Sequence, residues 1–152
     1  MTDNLTQKQR SHCMSKIRSK GTRPELIVRS IVHKLGFRFR LHRRDLPGIP
    51  DLVLPRHRVA IFVHGCFWHQ HPGCIRSKRP KSNTAYWEKK LDGNIERDLA
   101  HLVRLQRLGW RVGIVWECET AFQKSLNAKI LRLFESRTEG LNMYHHGSTG
   151  IG

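Results

Sequence analysis

The sequence has few acidic residues and no long apolar run. Its 152 residues contain 12 Asp and Glu against 28 Lys and Arg, and the formal net charge is +16 at pH 7. No apolar stretch approaches the ~20 residues that span a bilayer, and the polar start MTDNLTQKQR lacks the apolar core of a secretory signal. We therefore expect no membrane partner and a cytoplasmic, reducing setting.

The excess of basic residues predicts a polyanionic partner, because clustered Lys and Arg side chains bind phosphates. Charge names this partner only by class, since ribosomal proteins and membrane-surface binders are also basic. The length fits one domain with an ordinary core. In a reducing setting the four cysteines are expected to be metal ligands or buried thiols instead of disulfides, and Cys13 has no assigned role.

Two β-branched runs, at 52–54 and 59–63, flank the turn-like sequence PRHR and predict a hairpin within a core sheet. Asp51 opens the first run and His64 closes the second, so antiparallel pairing brings them to one end of the hairpin. A carboxylate there suits Mg²⁺, which prefers oxygen ligands. The alternative is that Asp51 only accepts hydrogen bonds from backbone N–H groups in a turn.

A second group of residues has the chemistry of a zinc site. Cys66, His71 and Cys74 follow the hairpin closely, and Cys118 ends a later apolar run that a neighbouring strand could carry to them. Zn²⁺ takes four such ligands tetrahedrally, and a site with four protein ligands is structural because no position stays open. Unrelated buried thiols are the alternative interpretation.

The remaining apolar periodicity predicts four helices and two further strands. The helices are expected at 6–19, from the Thr22 capping box to Gly36, from Asn83 or Thr84 to about Leu108, and from Thr120 to Phe134. The strands are expected at 37–41 and 110–116. This pattern predicts a basic N-terminal segment at 1–20, one domain at 21–136 and a frayed tail at 137–152.

The long helix is expected to back the sheet through one apolar face, formed by Leu91, Ile95, Leu99, Leu102 and Val103. The basic loop at 76–82 has no apolar period and is expected on the surface, where it either contacts phosphates or is simply solvated.

The chain resembles the very short patch repair (Vsr) family of DNA mismatch endonucleases. The resemblance covers roughly residues 7 to 120 and is carried by PD, FVHGCFWHQHPGC, YWEKKLDGNIERD and RLGWRVGIVWEC, in that order. It implies an α/β restriction-endonuclease-like fold, with a central mixed sheet flanked by helices and a structural zinc. It also implies Mg²⁺-dependent nicking beside the thymine of a T:G mismatch in double-stranded DNA, with mismatch-repair helper proteins as partners. We expect the chain to act as a monomer.

The resemblance also implies roles for individual residues. Mg²⁺ would be held by Asp51 and the backbone carbonyl of Val63, where the family pattern has Thr. His69 and His64 would serve catalysis, with the division between them left open. Glu25 would lie near the attacking water, although its place in the capping box is a sufficient structural role. One residue of Pro72-Gly73 has no counterpart in the family pattern and would lengthen the zinc loop.

Large aromatic residues near the zinc loop have two interpretations, stacking on bases or burial in a local core. The resemblance favours stacking, because the family residues that match Phe67, Trp68 and Trp87 wedge into the duplex beside the mismatch. It also places the N-terminal helix, which carries Met14, against DNA. Two other functions stay open: a zinc-stabilised DNA-binding module without catalysis, and a restriction-type nuclease that cuts matched sites.

Overall fold

A mixed four-stranded sheet organises the structure, a computed structural model that describes residues 2–15 and 20–143, with side chains through residue 135. Its strands are β1 (Arg40–Leu41), β2 (Leu52–Leu54), β3 (Val59–His64) and β4 (Arg111–Trp116), in that spatial order. The pairs β1/β2 and β2/β3 are antiparallel, whereas β3/β4 is parallel. The expected mixed sheet is therefore present.

Four α-helices surround this sheet: α1 (Gln7–Ser15), α2 (Arg23–Lys34), α3 (Thr84–Arg107) and α4 (Gln123–Met143). Short 3-10 turns lie at Ile75–Ser77 and Glu117–Ala121. Within the described ranges, no helix is both long and apolar enough to cross a membrane.

Both faces of the sheet are covered because side chains alternate along each strand. One face packs against α2 and α4 in a core of Val28, Ile31, Val32, Leu52, Leu54, Val59, Ile61, Val115, Leu126 and Ile130. The other face packs against α3 in a core of Leu46, Val53, Ala60, Phe62, Leu105 and Trp110. The alternation continues past Phe62, so His64 also lies on the α3 face.

The predicted hairpin is confirmed, with Leu52 paired to Ile61 and Leu54 to Val59. The predicted strand at 37–41 is shorter, since only Arg40 and Leu41 pair with β2. Strand β2 ends at Leu54 and Pro55 has no N–H to extend the ladder, which limits the pairing of β1.

Helix α2 follows its predicted start and stop signals. Thr22 Oγ1 accepts a hydrogen bond from the Glu25 N–H (3.4 Å). The helix stops at a Leu35 cap followed by Gly36, whose φ of 88° is the left-handed conformation usual after a helix end. The predicted helix at 6–19 is described only as far as Ser15, because 16–19 lie outside the described residues.

The predicted inner face of α3 is wrong in part. Leu99 is 57% exposed, Val103 is also exposed, and Trp87, Leu91 and Leu105 are the buried residues of this helix. Between Leu91 and Leu105 the face toward the sheet carries the partly buried Asn94, Asp98 and His101. The sheet beneath this part ends in His64, so the helix meets a polar site and not an apolar core.

The last helix begins later and ends later than predicted. Thr120 lies in a 3-10 turn, where its hydroxyl donates to the Glu117 carbonyl (2.6 Å) and does not cap α4. Phe122 precedes the helix and is 67% exposed. Helix α4 continues through residues 137–143, which were expected in the tail. Residues 144–152 of that expected tail lie outside the described residues.

Candidate active site and metal centre

The proposed catalytic residues meet at one edge of the sheet because of its topology. Strand β2 starts at this edge, whereas β3 and the parallel β4 both end there. Asp51, just before β2, accepts a hydrogen bond at Oδ2 from the Val63 N–H in β3 (2.7 Å). The two residues proposed to bind Mg²⁺ are therefore neighbours across the hairpin.

Glu25 and His42 complete a cluster around Asp51. The buried Glu25, 1% exposed, accepts hydrogen bonds from the Gly21 N–H and from Arg29 (3.0 Å). Its other oxygen contacts His42 Nε2, which lies 3.7 Å from Asp51 Oδ1. His42 thus stands between two carboxylates, and its backbone is left-handed with a φ of 48°. Such conformations are uncommon outside glycine and often occur at functional sites.

Burial raises the pKa of Asp51 to about 6, and the negative charge of Glu25 adds to this rise. Burial also opposes ionisation of Glu25, but hydrogen bonds from His42 and the Gly21 N–H, together with the charge of Arg29, hold its pKa below the ordinary value. Of the two carboxyl groups, Asp51 is therefore the one that lacks sufficient compensating positive charge.

A second cluster lies on the α3 face. The rings of His64 and His69 stack with centroids 3.8 Å apart and planes at 5°. His69 Nδ1 lies 2.7 Å from Asp98 Oδ2. Burial, together with the charge of the nearby His69, lowers the pKa of His64 to about 4. His64 is therefore neutral near pH 7, and among the described residues its buried Nδ1 has no hydrogen-bond partner.

Both clusters open into a cleft. Two adjoining cavities of about 520 and 480 Å³ share Asp51, Val63, His64, His69 and Asn94 in their lining. The first is also lined by Met14, Trp68 and Lys90, and the second by Lys20, Arg97 and His101. The cleft therefore combines carboxylate and imidazole groups with cationic and apolar side chains. A larger cavity of about 650 Å³ lies at the opposite end of β2, around Pro55, away from these groups.

The predicted cysteine and histidine ligands come together beside this cleft. Cys66, His71 and Cys74 lie in the loop after β3, and the parallel β4 delivers Cys118 to the same edge. Cys118 Sγ and Cys66 Sγ lie 3.4 and 3.7 Å from His71 Nδ1, and all four ligand atoms lie within 4.8 Å of one another. The His71 ring stacks on Trp116 with centroids 4.3 Å apart.

The loop between His71 and Cys74 turns tightly at Pro72 and Gly73. The Cys74 N–H donates to the His71 carbonyl (3.3 Å), and Gly73 has a φ of 70°. A Pro-Gly pair with these features forms a type II turn, which requires a positive φ at its third residue. This turn brings Cys74 back toward His71.

The aromatic residues form one cluster at the cleft. Phe67 and Trp68 are half-buried, with ring centroids 5.0 Å apart. Trp87 packs against Phe67 at 5.5 Å and is only 8% exposed. Its indole N–H donates to Asp3 Oδ2 (2.9 Å). In this structure Trp68 lines the cleft, whereas Trp87 supports the cluster from behind.

Comparison with known proteins identifies the family. A family model described as DNA mismatch endonuclease Vsr matches residues 2–76. The type II nicking enzyme V.XorIIP of Xanthomonas oryzae pv. oryzae is 47% identical over 89% of this chain and 98% of its own. The DNA mismatch endonuclease Vsr of Escherichia coli K12 is 40% identical over 86% of this chain and 83% of its own. The chain belongs to the Vsr family of DNA mismatch endonucleases. It is thus a DNA endonuclease by family.

The type II nicking enzyme V.NmeAIP of Neisseria meningitidis serogroup A is 41% identical over 88% of this Vsr-family chain and 94% of its own. Among solved structures, the catalytic domain of the homing endonuclease I-Bth0305I covers 76% of this chain and 97% of its own, with a TM-score of 0.54 and 19% identity. This likeness shows that the fold is also used by an endonuclease domain.

Sequence reasoning missed two residues of the candidate site, His42 and Asp98. His42 belongs to a stretch whose pattern predicts only a charged loop, and no local signal links it to Glu25. Asp98 lies seven residues after Leu91 and before Leu105, which are both buried. That spacing places three residues on one helix face and could have identified Asp98.

Proposed function

We propose that this Vsr-family chain nicks one DNA strand beside the thymine of a T:G mismatch, by Mg²⁺-dependent phosphodiester hydrolysis that starts very short patch repair. The observation that carries this proposal is the cleft in which Asp51 and the His69–Asp98 pair meet. An oxygen ligand for a hard cation and a histidine oriented by a carboxylate are the groups that metal-assisted hydrolysis needs.

The residues around Asp51 fit Mg²⁺ by their chemistry. Asp51 is a mostly buried carboxyl whose pKa is raised to about 6, so a bound divalent cation would favour its charged form. In an extended strand the N–H and C=O of one residue point to the same side. Since the Val63 N–H donates to Asp51, the Val63 carbonyl is directed to the same edge. Bound Mg²⁺ would stabilise the negative charge that develops on the phosphate.

The two imidazoles then have different roles, and only His69 takes part in the proton transfer. Asp98 holds His69 through Nδ1, which leaves Nε2 as the nitrogen that accepts the proton of the attacking water. His64 is neutral and stacks on His69, so it fixes the His69 ring and adds no positive charge beside it. Glu25 orients the water near Asp51, and its own position is fixed by the Gly21 N–H, Arg29 and His42.

We further propose a structural zinc bound by Cys66, His71, Cys74 and Cys118. Tetrahedral zinc with Zn–S of ~2.3 Å and Zn–N of ~2.0–2.1 Å places its ligand atoms about 3.5–3.8 Å apart. The separations of 3.4 and 3.7 Å between His71 Nδ1 and two of the sulfurs match this geometry. Burial raises the pKa of Cys66 to about 12, so a nearby cation is needed to keep that sulfur as thiolate.

Recognition of the mismatch is assigned to the aromatic cluster and to α1. A mismatched step is cheaper to unstack than a paired one, at a few kcal/mol per step, so a wedge inserted there gains selectivity. Trp68 lines the cleft beside Met14, and Phe67 packs edge-on against it. Trp87 contributes to the wedge as the residue on which the other two rest.

The proposal includes a cytoplasmic setting, where thiols stay reduced, action as a monomer, and mismatch-repair helper proteins as partners. One experiment tests the proposed activity, which is Mg²⁺-dependent nicking at a T:G mismatch. Duplexes that differ only in a T:G, T:A or other mismatched pair are incubated with the protein, with and without Mg²⁺, and strand nicking is measured. We expect Mg²⁺-dependent nicking of the T:G duplex alone. Binding without nicking would favour the noncatalytic module, and nicking of the matched duplex would favour a restriction-type nuclease.

A further inference from the structure

A buried carboxylate outside the catalytic cleft joins the N-terminal segment to α3. Asp3 is buried, and its Oδ2 accepts hydrogen bonds from Arg10 Nε (2.7 Å) and from the Trp87 indole N–H (2.9 Å). Its Oδ1 accepts from the Leu5 N–H (3.0 Å). Burial opposes ionisation, but the hydrogen bonds from Arg10, Leu5 and Trp87 hold the pKa of Asp3 below its ordinary value. Asp3 is therefore charged at neutral pH.

The backbone of Asp3 is fixed to the start of α3 as well. Its N–H and its carbonyl both bond to Ser82 Oγ, and Asn83 Nδ2 donates to the same carbonyl (2.9 Å). Asn83 is the N-cap residue of α3, yet its side chain makes no capping hydrogen bond. It bonds to the N-terminal segment instead.

Helix α1 has no apolar face that could hold it in this position. Arg10 is its only buried residue, and the Arg10 guanidinium lies 4.5 Å from the Tyr86 ring centroid in addition to its bond with Asp3. Met14, one turn further along the helix, lines the cleft with Asp51 and His64. Among the described residues, Arg10 therefore ties α1 to Asp3 and to Tyr86, and these contacts help to place Met14.

We propose that Asp3 is a positioning residue that fixes α1 and Trp87 to each other and thereby sets the geometry of the DNA-facing cleft. Met14 and Trp68, which line the same cleft, then meet the duplex as a preassembled surface. This inference rests on the proposed function, since it assigns Asp3 to recognition of the mismatch and not to hydrolysis.

Asp3→Asn tests the proposal. The amide can still accept a hydrogen bond from Trp87 but no longer balances the charge of Arg10. If only about a tenth of the molecules then keep α1 in place, the apparent dissociation constant for the T:G duplex rises about tenfold. Binding to an otherwise identical T:A duplex should change by less than about threefold. The nicking rate at saturating protein should stay near the wild-type value, because the catalytic clusters are untouched.

Two comparisons separate the effect of losing the Asp3–Arg10 ion pair from the effect of removing one negative charge. Asp45→Asn removes an equal charge from an exposed ion pair with Arg43, where Asp45 is 62% exposed, and should leave discrimination unchanged. Arg10→Gln should reproduce the effect of Asp3→Asn, and the double variant should be no worse than either single one. Hydrogen exchange of the Trp87 indole N–H should be slow in the wild type and faster in Asp3→Ala, which no longer accepts from it.

The outcomes separate this proposal from the proposed function. A wild type without T:G preference refutes the proposed function, and Asp3 is then judged by whether Asp3→Asn weakens binding to the duplex that the wild type does bind more than Asp45→Asn does. The role of Asp3 is overturned if Asp3→Asn and Asp45→Asn have equal effects, or if Asp3 and Arg10 contribute additively. Should Asp3→Asn fail to fold, Arg10→Gln carries the same test.

Discussion

His64 and His69 lie face to face, with ring centroids 3.8 Å apart and planes at 5°. Among the described residues, only one of the two stacked rings is within hydrogen-bond distance of a carboxylate, since Asp98 Oδ2 lies 2.7 Å from His69 Nδ1. His64 is 6% exposed and its pKa is lowered to about 4, so it stays neutral. From this asymmetry we propose His69 as the base and a supporting role for His64, a division that sequence patterns alone leave open.

Replacing His69 by Ala should lower the nicking rate by about 10²–10⁴, the usual contribution of a general base. Asp98→Asn should lower it less, because the imidazole remains but loses the partner that fixes its tautomer. Both variants should bind the T:G duplex as the wild type does. Single-turnover nicking across pH 5.5–8.5 measures these effects. A larger loss in His64→Ala than in His69→Ala would reverse the assignment.

The sequence predicted best the parts of the site that depend on local patterns. The β2–β3 hairpin is confirmed because its alternation and turn residues are all local. Cys118 meets Cys66 as expected, since a strand that ends in cysteine beside a parallel strand allows few other arrangements. These predictions needed only the periodicity of strands and the ligand chemistry of zinc.

The parts that sequence patterns miss depend on contacts between distant residues. The bond from Trp87 to Asp3 joins residues 84 positions apart, and neither residue shows a pattern that points to the other. His42 reaches Glu25 from a left-handed backbone position, which no propensity predicts for histidine. On α3 the periodicity extends the apolar stripe through Leu99, because the polar face of a helix ordinarily meets solvent. That inference fails where a helix covers an active site.

Removal of zinc should destabilise the whole protein. A structural site contributes its binding free energy to folding, so a chelator should lower the melting temperature, and Mg²⁺ added back alone should not restore nicking. Metal analysis of the purified protein should give about one zinc per chain. Cys74→Ser should lose metal, whereas Cys13→Ser, at an exposed cysteine outside the cluster, should keep it. Active protein that contains no zinc would contradict the assignment.

Trp68→Ala should reduce discrimination between T:G and T:A duplexes more than it reduces binding to matched DNA. The ring is half-buried and lines the cleft, so its removal takes away a stacking surface and little core. Trp87→Ala, at a buried position, should cost about 3–5 kcal/mol of folding free energy as large core truncations do. Chemical denaturation and duplex binding of both variants show which tryptophan stacks on DNA and which one stabilises the fold. Equal losses of stability would place Trp68 in the core.

The stability of the folded protein should fall on mild acidification because of His64. The pKa of His64 is about 4 in the folded state, whereas the ordinary value for histidine is 6.5. Between these two pH values, His64 is protonated in the unfolded chain but stays neutral in the folded protein. Stability is therefore lost as pH falls from about 6.5 to about 4. Asp51 acts oppositely, since its raised pKa makes the folded state bind the proton first.

The contribution of His64 is isolated by comparison with His64→Gln. Between pH 7 and 5.5 the wild type should lose about 1 kcal/mol more than the variant, from the difference in proton binding. Urea denaturation at both values, without Mg²⁺, measures this. The zinc ligands and Asp51 are the same in both proteins, so their titration cancels. Parallel pH profiles would mean that His64 has the same pKa in the folded and unfolded states, against this prediction.

Asp51→Asn should abolish nicking and leave DNA binding intact. The amide keeps the size of the side chain and an oxygen that can accept the Val63 N–H, so the hairpin end should survive. It lacks the negative charge that a hard cation requires. Affinity for the T:G duplex should persist or rise, because the basic surface is untouched and one source of repulsion toward phosphate is gone. Isothermal titration with Mg²⁺, duplex binding and zinc content, measured on wild type and variant, check each part.

Asp45→Asn, the same change at an exposed ion pair, should nick normally. Undiminished nicking by Asp51→Asn would remove the proposed magnesium site, whereas lost nicking with lost zinc would point to a damaged fold.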